Sequence, residues 1–449
     1  MASIGLVTDQ IKKDPARLLK DLPIREACLH LNYRERALDP ATTVALFIRQ
    51  VIDGNCSCAA IRHHSDRSFT PQAYCEARQR LPLAVLQTLG RNVRDLAGAW
   101  RGSKELFLTR RVFVIDGSSF SMPDTPPLQE HFGQPPAQKK GCGFPVAHLL
   151  ALFDVNSGML MDAIASPLRT HDLRHAAKMH PMMRQGDLLL GDTGFCSYTH
   201  FALLLQAKLH ALMPNHQCRI VDFTPNRPFV RTEEVTDENR HLPRSRWIKS
   251  LGEDDQLVEW YKPQNAPKYM SQEQFDALPR SIVVRELRRR VWREELNGWT
   301  ELVIVTTLVD PELDPAEKLV ELRLRRWTVE VNLRHLKTTM GLEVLKCRSV
   351  EGIQKELAVF ALVYNAVRLL MLDAAARQKT TADRVSFKDV LRWLSVAREG
   401  QPMPRFVVNP RRNDRVEPRA VKRRPKEYDR LNRPREEMRN TLKNQAKAA

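Results

Sequence analysis

The feature that most constrains this chain is the order of apolar runs between residues 112 and 214. VFVID, VAHLLALFDV and MLMDAIAS are strand-like, and Asn156-Ser157-Gly158 between the last two is a favourable hairpin turn. A helical stretch from His171 to Met183 follows, then DLLLGD (Asp187 to Asp192), a helix from Tyr198 to Lys208 and the short strand HALMP. Strands that give way to alternating helices and strands predict an α/β unit, a sheet covered by helices. Apolar residues make up 43% of the 449, enough for a packed core. At roughly 150 residues per domain, two or three units are expected.

Within this unit Asp116 and Asp192 have matching contexts. Each closes an apolar run and is followed within two residues by a glycine, Gly117 or Gly194. Side chains just beyond strand ends point into the crevice where α/β sheets bind ligands. Two carboxylates delivered there can converge on Mg²⁺, which prefers a few carboxylate oxygens together with water and phosphate oxygens. Aspartate also caps turns for purely local reasons, so the pair gains its meaning from a third acid.

That acid is Glu330 in LRLRRWTVEVNLRHLK. Arg323, Arg326, Glu330, Arg334 and Lys337 recur at spacings of three and four, and at about 100° per residue they form one stripe within roughly 40° of Glu330. Leu322, Val329, Leu333 and Leu336 flank the stripe on one side, Val331 and Leu324 on the other. Apolar flanks on both sides predict a packed helix whose stripe faces a cleft. A carboxylate for metal framed by cations for phosphate suits phosphodiester chemistry. A salt-bridged surface helix is the plainer meaning of such a run.

Elsewhere, residues 1–105 read as helical, with periodic faces at Leu18, Leu19 and Leu22, at Thr43 to Ile52 and from Pro82 to Leu96. Residues 216–300 carry short alternating segments such as SIVVRELRRRVWR between turns, a β-rich insertion closed by the strand LVIVTTL. One long helix is expected from Pro315 to about Met340, with Asp314 as its N-cap. Another runs from Gly352 to Arg377; Asn365, Arg368 and Asp373 interrupt its apolar stretch and make it a core helix, not a membrane span.

The charge points to polyanionic partners. Lys and Arg number 71 against 53 acids, a formal +18 with pI near 9.7. Residues 405–449 hold 15 Lys/Arg against 6 Asp/Glu and few large apolar groups, and read as disordered. The eight cysteines form no Cys-x-x-Cys pair and the N-terminus lacks a signal-peptide pattern, so reduced thiols in a soluble cytoplasmic protein are expected. His171 and His175 have zinc-ligand spacing without the glutamate of a zinc hydrolase. Asp124, Asp154, Asp162 and Asp172 are assigned to turns, loops or caps. Trp247, Trp260, Trp292 and Trp299 in the insertion are read first as packed side chains, with stacking on a displaced base as the alternative. Lys139 and Lys140, in the loop Pro135 to Gly143, are candidate DNA contacts.

The stripe resembles the Tyr-x2-Arg-x3-Glu-x6-Lys motif of bacterial insertion-sequence DDE transposases, family four. Arg326, Glu330 and Lys337 match in spacing, while Arg323 stands at the tyrosine position. VIDGSSFSMPDTP around Asp116 and LLGDTGF around Asp192 resemble the family's strand-end motifs. The resemblance spans roughly Val112 to Ala376, with three motifs in order. It implies a ribonuclease H-like catalytic core, whose strand and helix order the runs from residue 112 share. The implied layout is a helical, DNA-binding N-terminal domain (1–105), the core in two parts (106–215 and 301–378), the β-rich insertion (216–300) and a basic C-terminal region (379–449). It also implies metal-dependent cleavage and strand transfer on double-stranded DNA at terminal inverted repeats, by a homodimer on paired ends, with no membrane partner. Two Mg²⁺ ions, or Mn²⁺ in their place, would sit roughly 3.5–4 Å apart on Asp116, Asp192 and Glu330. Arg323, Arg326, Arg334 and Lys337 would bind DNA. A transposase-derived DNA-binding protein without catalysis, or a metal-dependent nuclease without strand transfer, are the alternatives.

Overall fold

The apolar runs assemble into one nine-stranded mixed sheet of order β3-β2-β1-β4-β5-β9-β8-β7-β6. A computed structural model describes residues 18, 22–33, 37–100, 107–293, 298–409, 431 and 433–448. Ahead of the sheet lie helices α1 (Ile24–Cys28), α2 (Pro40–Ile52), α3 (Pro71–Arg80) and α4 (Leu83–Trp100). Asp39 and Thr70 cap α2 and α3 by accepting the Thr42 and Ala73 N–H groups, each with a proline at the first turn. Leu18 and Leu22 are buried, while Leu19 lies outside the described residues.

The first half of the sheet is β1 (Val112–Ser121), then after the short helix α5 (Pro126–Phe132) β2 (Val146–Asp154) and β3 (Leu160–Pro167). Helix α6 (Leu173–Met179) leads to β4 (Leu188–Leu190), and α7 (Tyr198–Gln206) to β5 (His210–Pro214). β1 is antiparallel to β2, β2 to β3, while β1, β4 and β5 run parallel. The helix expected from His171 thus starts later, and His171 accepts the Leu173 N–H from the turn before it.

The insertion does not form a separate sheet. β6 (Ser245–Gly252), β7 (Asp255–Tyr261), helix α8 (Gln272–Asp276), β8 (Ser281–Arg293) and β9 (Gly298–Thr306) follow in order. β9 pairs with both β5 and β8, so the insertion strands prolong the first sheet. Both faces of the first half of the sheet are covered. Val112 and Val114 join the core built with the N-terminal helices, whereas Phe113 and Ile115 join the core under α6 and α7, the alternation a strand imposes.

After β9 come α9 (Ala316–Leu324), a 3₁₀ turn, α10 (Thr328–Arg334) and a π segment, His335–Thr339. The single α-helix expected here is therefore broken in character. Pro315, not Asp314, is its N-cap; the Asp314 carboxylate instead accepts Arg110 Nη1 at 2.6 Å and Nη2 at 3.2 Å. Leu322, Val329, Leu333 and Leu336 are buried; on the other flank Val331 is half-buried and Leu324 exposed.

Helix α11 (Val350–Arg377), capped by Ser349, contacts α2, α4 and β3 and then α12 (Phe387–Val396). Length and composition alone would let α11 cross a bilayer, yet most of its surface is covered by these elements. The polar residues that interrupt it hold the β2–β3 hairpin. Asn365 makes two bonds of 2.8 Å to the Leu160 backbone, Tyr364 donates to Gly158 O, and Arg368 donates to Ser157 O. The C-terminal region departs from the disorder expected of it: Arg405 to Asn409 follow a fixed path, and α13 (Arg435–Ala448) is helical. Arg435 anchors α13 by its contacts with Asp124, Gly143 O and the Phe144 ring. Residues 410–430 lie outside the described residues.

Candidate active site

The cleft exists because β4 is short. The β1–β4 ladder ends at Val114↔Leu190, while β1 continues to Ser121, paired with β2 on its other edge. Asp116 therefore sits inside β1 and not beyond its end as its sequence context suggested; the strand that ends there is β4. Asp192 follows β4 by two residues and opens a 3₁₀ turn. Each aspartate accepts a local N–H at Oδ1, Asp116 from Gly117 and Asp192 from Gly194, both at 2.8 Å. Both are thus local caps as well as members of the cleft. Gly117 is required by close approach: a Cβ there would lie 3.2 Å from Asp172 Oδ2 and 3.2 Å from His148 Cε1. Asp172 and His148 bond to each other, which gives this rival acid a partner away from the cleft.

The stripe helix supplies the opposite wall. Arg326 donates from Nη1 to Asp116 Oδ2 at 3.3 Å and from Nη2 to Glu330 Oε1 at 3.1 Å, while its buried Nε has no hydrogen-bond partner among the described residues. Burial holds the Asp116 pKa above the ordinary aspartate value; Arg326 and the Gly117 N–H pull it down, and the Asp192 and Glu330 charges push it up. The open cleft, about 470 Å³, takes in Asp116, Asp192, Arg326, Glu330, Arg334 and Lys337. Arg323 does not line it, nor do Lys139 and Lys140, which are exposed in a loop elsewhere.

Sequence reasoning missed Glu343, which also lines the cleft. After the π segment Gly341, at φ +87°, turns the chain back, and Glu343 O then accepts the Ser121 N–H at 2.9 Å. A glycine just past a helix was the available signal. Among the tryptophans, Trp260 is fully buried and donates to Glu286, whereas Trp292 and Trp299 are exposed and meet edge to face at 5.7 Å.

Three carboxylates on an open, cation-framed cleft are a hard-oxygen donor set of the kind divalent cations take. No three such side chains among the described residues close to metal-ligand geometry as they stand, because the Arg326 guanidinium lies between Asp116 and Glu330.

Residues 108–366 match the family described as Transposase DDE domain, more than half of the chain. The chain belongs to the DDE transposases. It is 25% identical over 385 residues to the transposase InsG for insertion sequence element IS4 of Escherichia coli (strain K12), covering 80% of this chain and 78% of InsG. Over 145 residues it is 31% identical to the putative transposase InsZ of the same organism, a match to 32% of this chain and 48% of InsZ. These relatives agree with the insertion-sequence family expected from the motifs. Among solved structures this transposase is similar to a piggyBac transposase synaptic complex with hairpin DNA (TM-score 0.40, 10% identity, 88% of this chain and 80% of that one). A pre-cleavage Mos1 transpososome follows (TM-score 0.15, 10% identity, 40% and 60%).

Proposed function

We propose that the cleft carries out phosphodiester cleavage and strand transfer on double-stranded DNA at the terminal inverted repeats of an insertion sequence. The observation that carries this reading is the meeting of Asp116, Asp192 and Glu330 in one cleft with Arg326, Arg334 and Lys337. The three carboxylates would hold two divalent cations, Mg²⁺ or Mn²⁺. Bound there, such ions supply Lewis-acid charge that activates the attacking hydroxyl and steadies the leaving 3′ oxygen. Arg326, Arg334 and Lys337 hold phosphates on either side of the scissile bond, and their fixed charges need no reorganisation as the reaction proceeds. Arg323, Lys139 and Lys140 contact the duplex farther out. The order β3-β2-β1-β4-β5 with its parallel and antiparallel pairs supports a ribonuclease H-like core. The N-terminal helices serve as a DNA-binding unit, and a homodimer on paired ends performs the reaction in the cytoplasm.

The test is cleavage of a supercoiled plasmid carrying the DNA that flanks this gene, with Mg²⁺ or Mn²⁺. Wild-type protein should produce free 3′ ends and joined products. Glu330→Gln should bind the same DNA within about two-fold while cutting at least ~10²-fold more slowly. Binding without any cutting by the wild type would favour the DNA-binding alternative, and nicks without joined products would favour the nuclease. Wild-type cutting by Glu330→Gln would remove Glu330 from the site.

A further inference from the structure

A second cavity, about 370 Å³, opens between the C-terminal end of α11 and the segment Met403 to Arg405. Arg377, Lys379 and Arg405 line it, and no carboxylate does. Asp373 is the nearby acid, bound to Arg377 Nε at 2.7 Å. The cavity is preformed. Gln378 clamps the Phe406 backbone, with Nε2 donating to Phe406 O at 3.0 Å and Oε1 accepting its N–H at 2.9 Å. The next residue, Val407, is held from both sides by the Ser386 N–H and the Asp389 carboxylate.

Cations at a helix C-terminus offset the helix dipole, which accounts for Arg377 and Lys379. Arg405 comes from a different segment, and the dipole does not explain its place beside them. Lys379 is also held at φ +52°, just past the helix end, where glycine is the low-strain residue. A strained lysine and an arginine from a second segment thus converge on one fixed cavity of a size that takes a phosphate.

We propose that this cavity binds a phosphate of the DNA backbone, a second anchor remote from the cleft; this rests on the DNA reading above. The 28 residues of α11 span about 40 Å at 1.5 Å each, and the loop bearing Glu343 leads into its other end. The anchor at the C-terminal end of α11 is therefore well separated from that loop.

The test measures full-length protein binding to a labelled ~30-base-pair duplex across NaCl concentrations, where each phosphate contact adds about 0.9 to the slope of log K against log[salt]. The double variant Lys379→Gly, Arg405→Gln removes two exposed cations, and its glycine suits the left-handed backbone. Its slope should be shallower by about 0.9, the share of one phosphate, while Lys208→Gln, Lys318→Gln, exposed residues with the same change of charge, should keep the wild-type slope. An unchanged slope in the first variant, or an equal loss in the second, overturns the anchor. A wild-type protein with no affinity for the duplex overturns the DNA reading itself.

Discussion

Arg326 is tied to two carboxylates at once, and both ties must loosen if Asp116 and Glu330 are to share a metal. A phosphate entering the cleft offers the guanidinium a better-matched partner, with two oxygens for its fork. Metal and DNA should therefore favour each other's binding. Arg326→Gln removes the competing cation, so calorimetry without DNA should show divalent metal bound several-fold more tightly than by wild type. Cleavage should nevertheless fall by ~10² or more, because the phosphate loses its partner. Equal metal affinity in the two proteins would show that Arg326 does not compete. At this scale the meeting of Asp116, Asp192 and Glu330 in one cleft was legible in the sequence because each sits in a periodic or strand-bounded context. Glu343 was not, since a loop has no period and its place depends on a contact more than 200 residues away in the chain, from Ser121.

Among the elements, the strands and helices of the first sheet half were legible because apolar period and turn residues agree there. The break-up of the stripe helix was not. Its apolar spacing is helical throughout, and the change to 3₁₀ and π geometry leaves no mark on that period. The pairing of β9 with β5 was hidden for a similar reason, since strand order depends on partners distant in sequence. The joint between the N-terminal helices and the loop after the π segment is another such feature. The fully buried Glu356 carboxylate accepts Asn55 Nδ2 at 2.6 Å, Lys346 N–H at 3.0 Å and Cys347 N–H at 2.8 Å. Glu356→Leu strands three buried donors and should lower the unfolding free energy by about 3–5 kcal/mol in urea titrations. Glu356→Gln, which keeps one acceptor oxygen, should lose about half of that. A leucine variant as stable as wild type would mean that the joint adds nothing to the fold.

For the whole molecule, acidity should be a weakness. His180 is pushed down to about 3, by burial and by His200 beside it, and burial takes His200 to about 4. His200 donates from Nδ1 to Phe195 O, leaving Nε2 to accept from His180 at 3.3 Å, an arrangement that needs the His200 ring neutral. His335, stacked on Phe387, falls to about 4 through burial and the Arg368 and Arg334 charges. Their folded pKa values lie below the unfolded value near 6.5, so the unfolded chain takes up more protons under mild acid. Stability is then fully present above pH 6.5 and lost on acidification towards pH 4, by about 2 kcal/mol per histidine at pH 5. Urea midpoints at pH 7 and pH 5 check this, and His200→Gln should flatten the difference. Equal midpoints for wild type would rule out buried neutral histidines.

The double pairing of β9 also has a mechanical meaning. A strand shared by two half-sheets cannot act as a hinge, since its covalent axis and two ladders of hydrogen bonds resist bending together. The insertion is thus a cantilever clamped at β5, two strands from β1, the strand that carries Asp116. Force on the exposed Trp292–Trp299 pair would reach the sheet as torque and not be absorbed by a bend at β9.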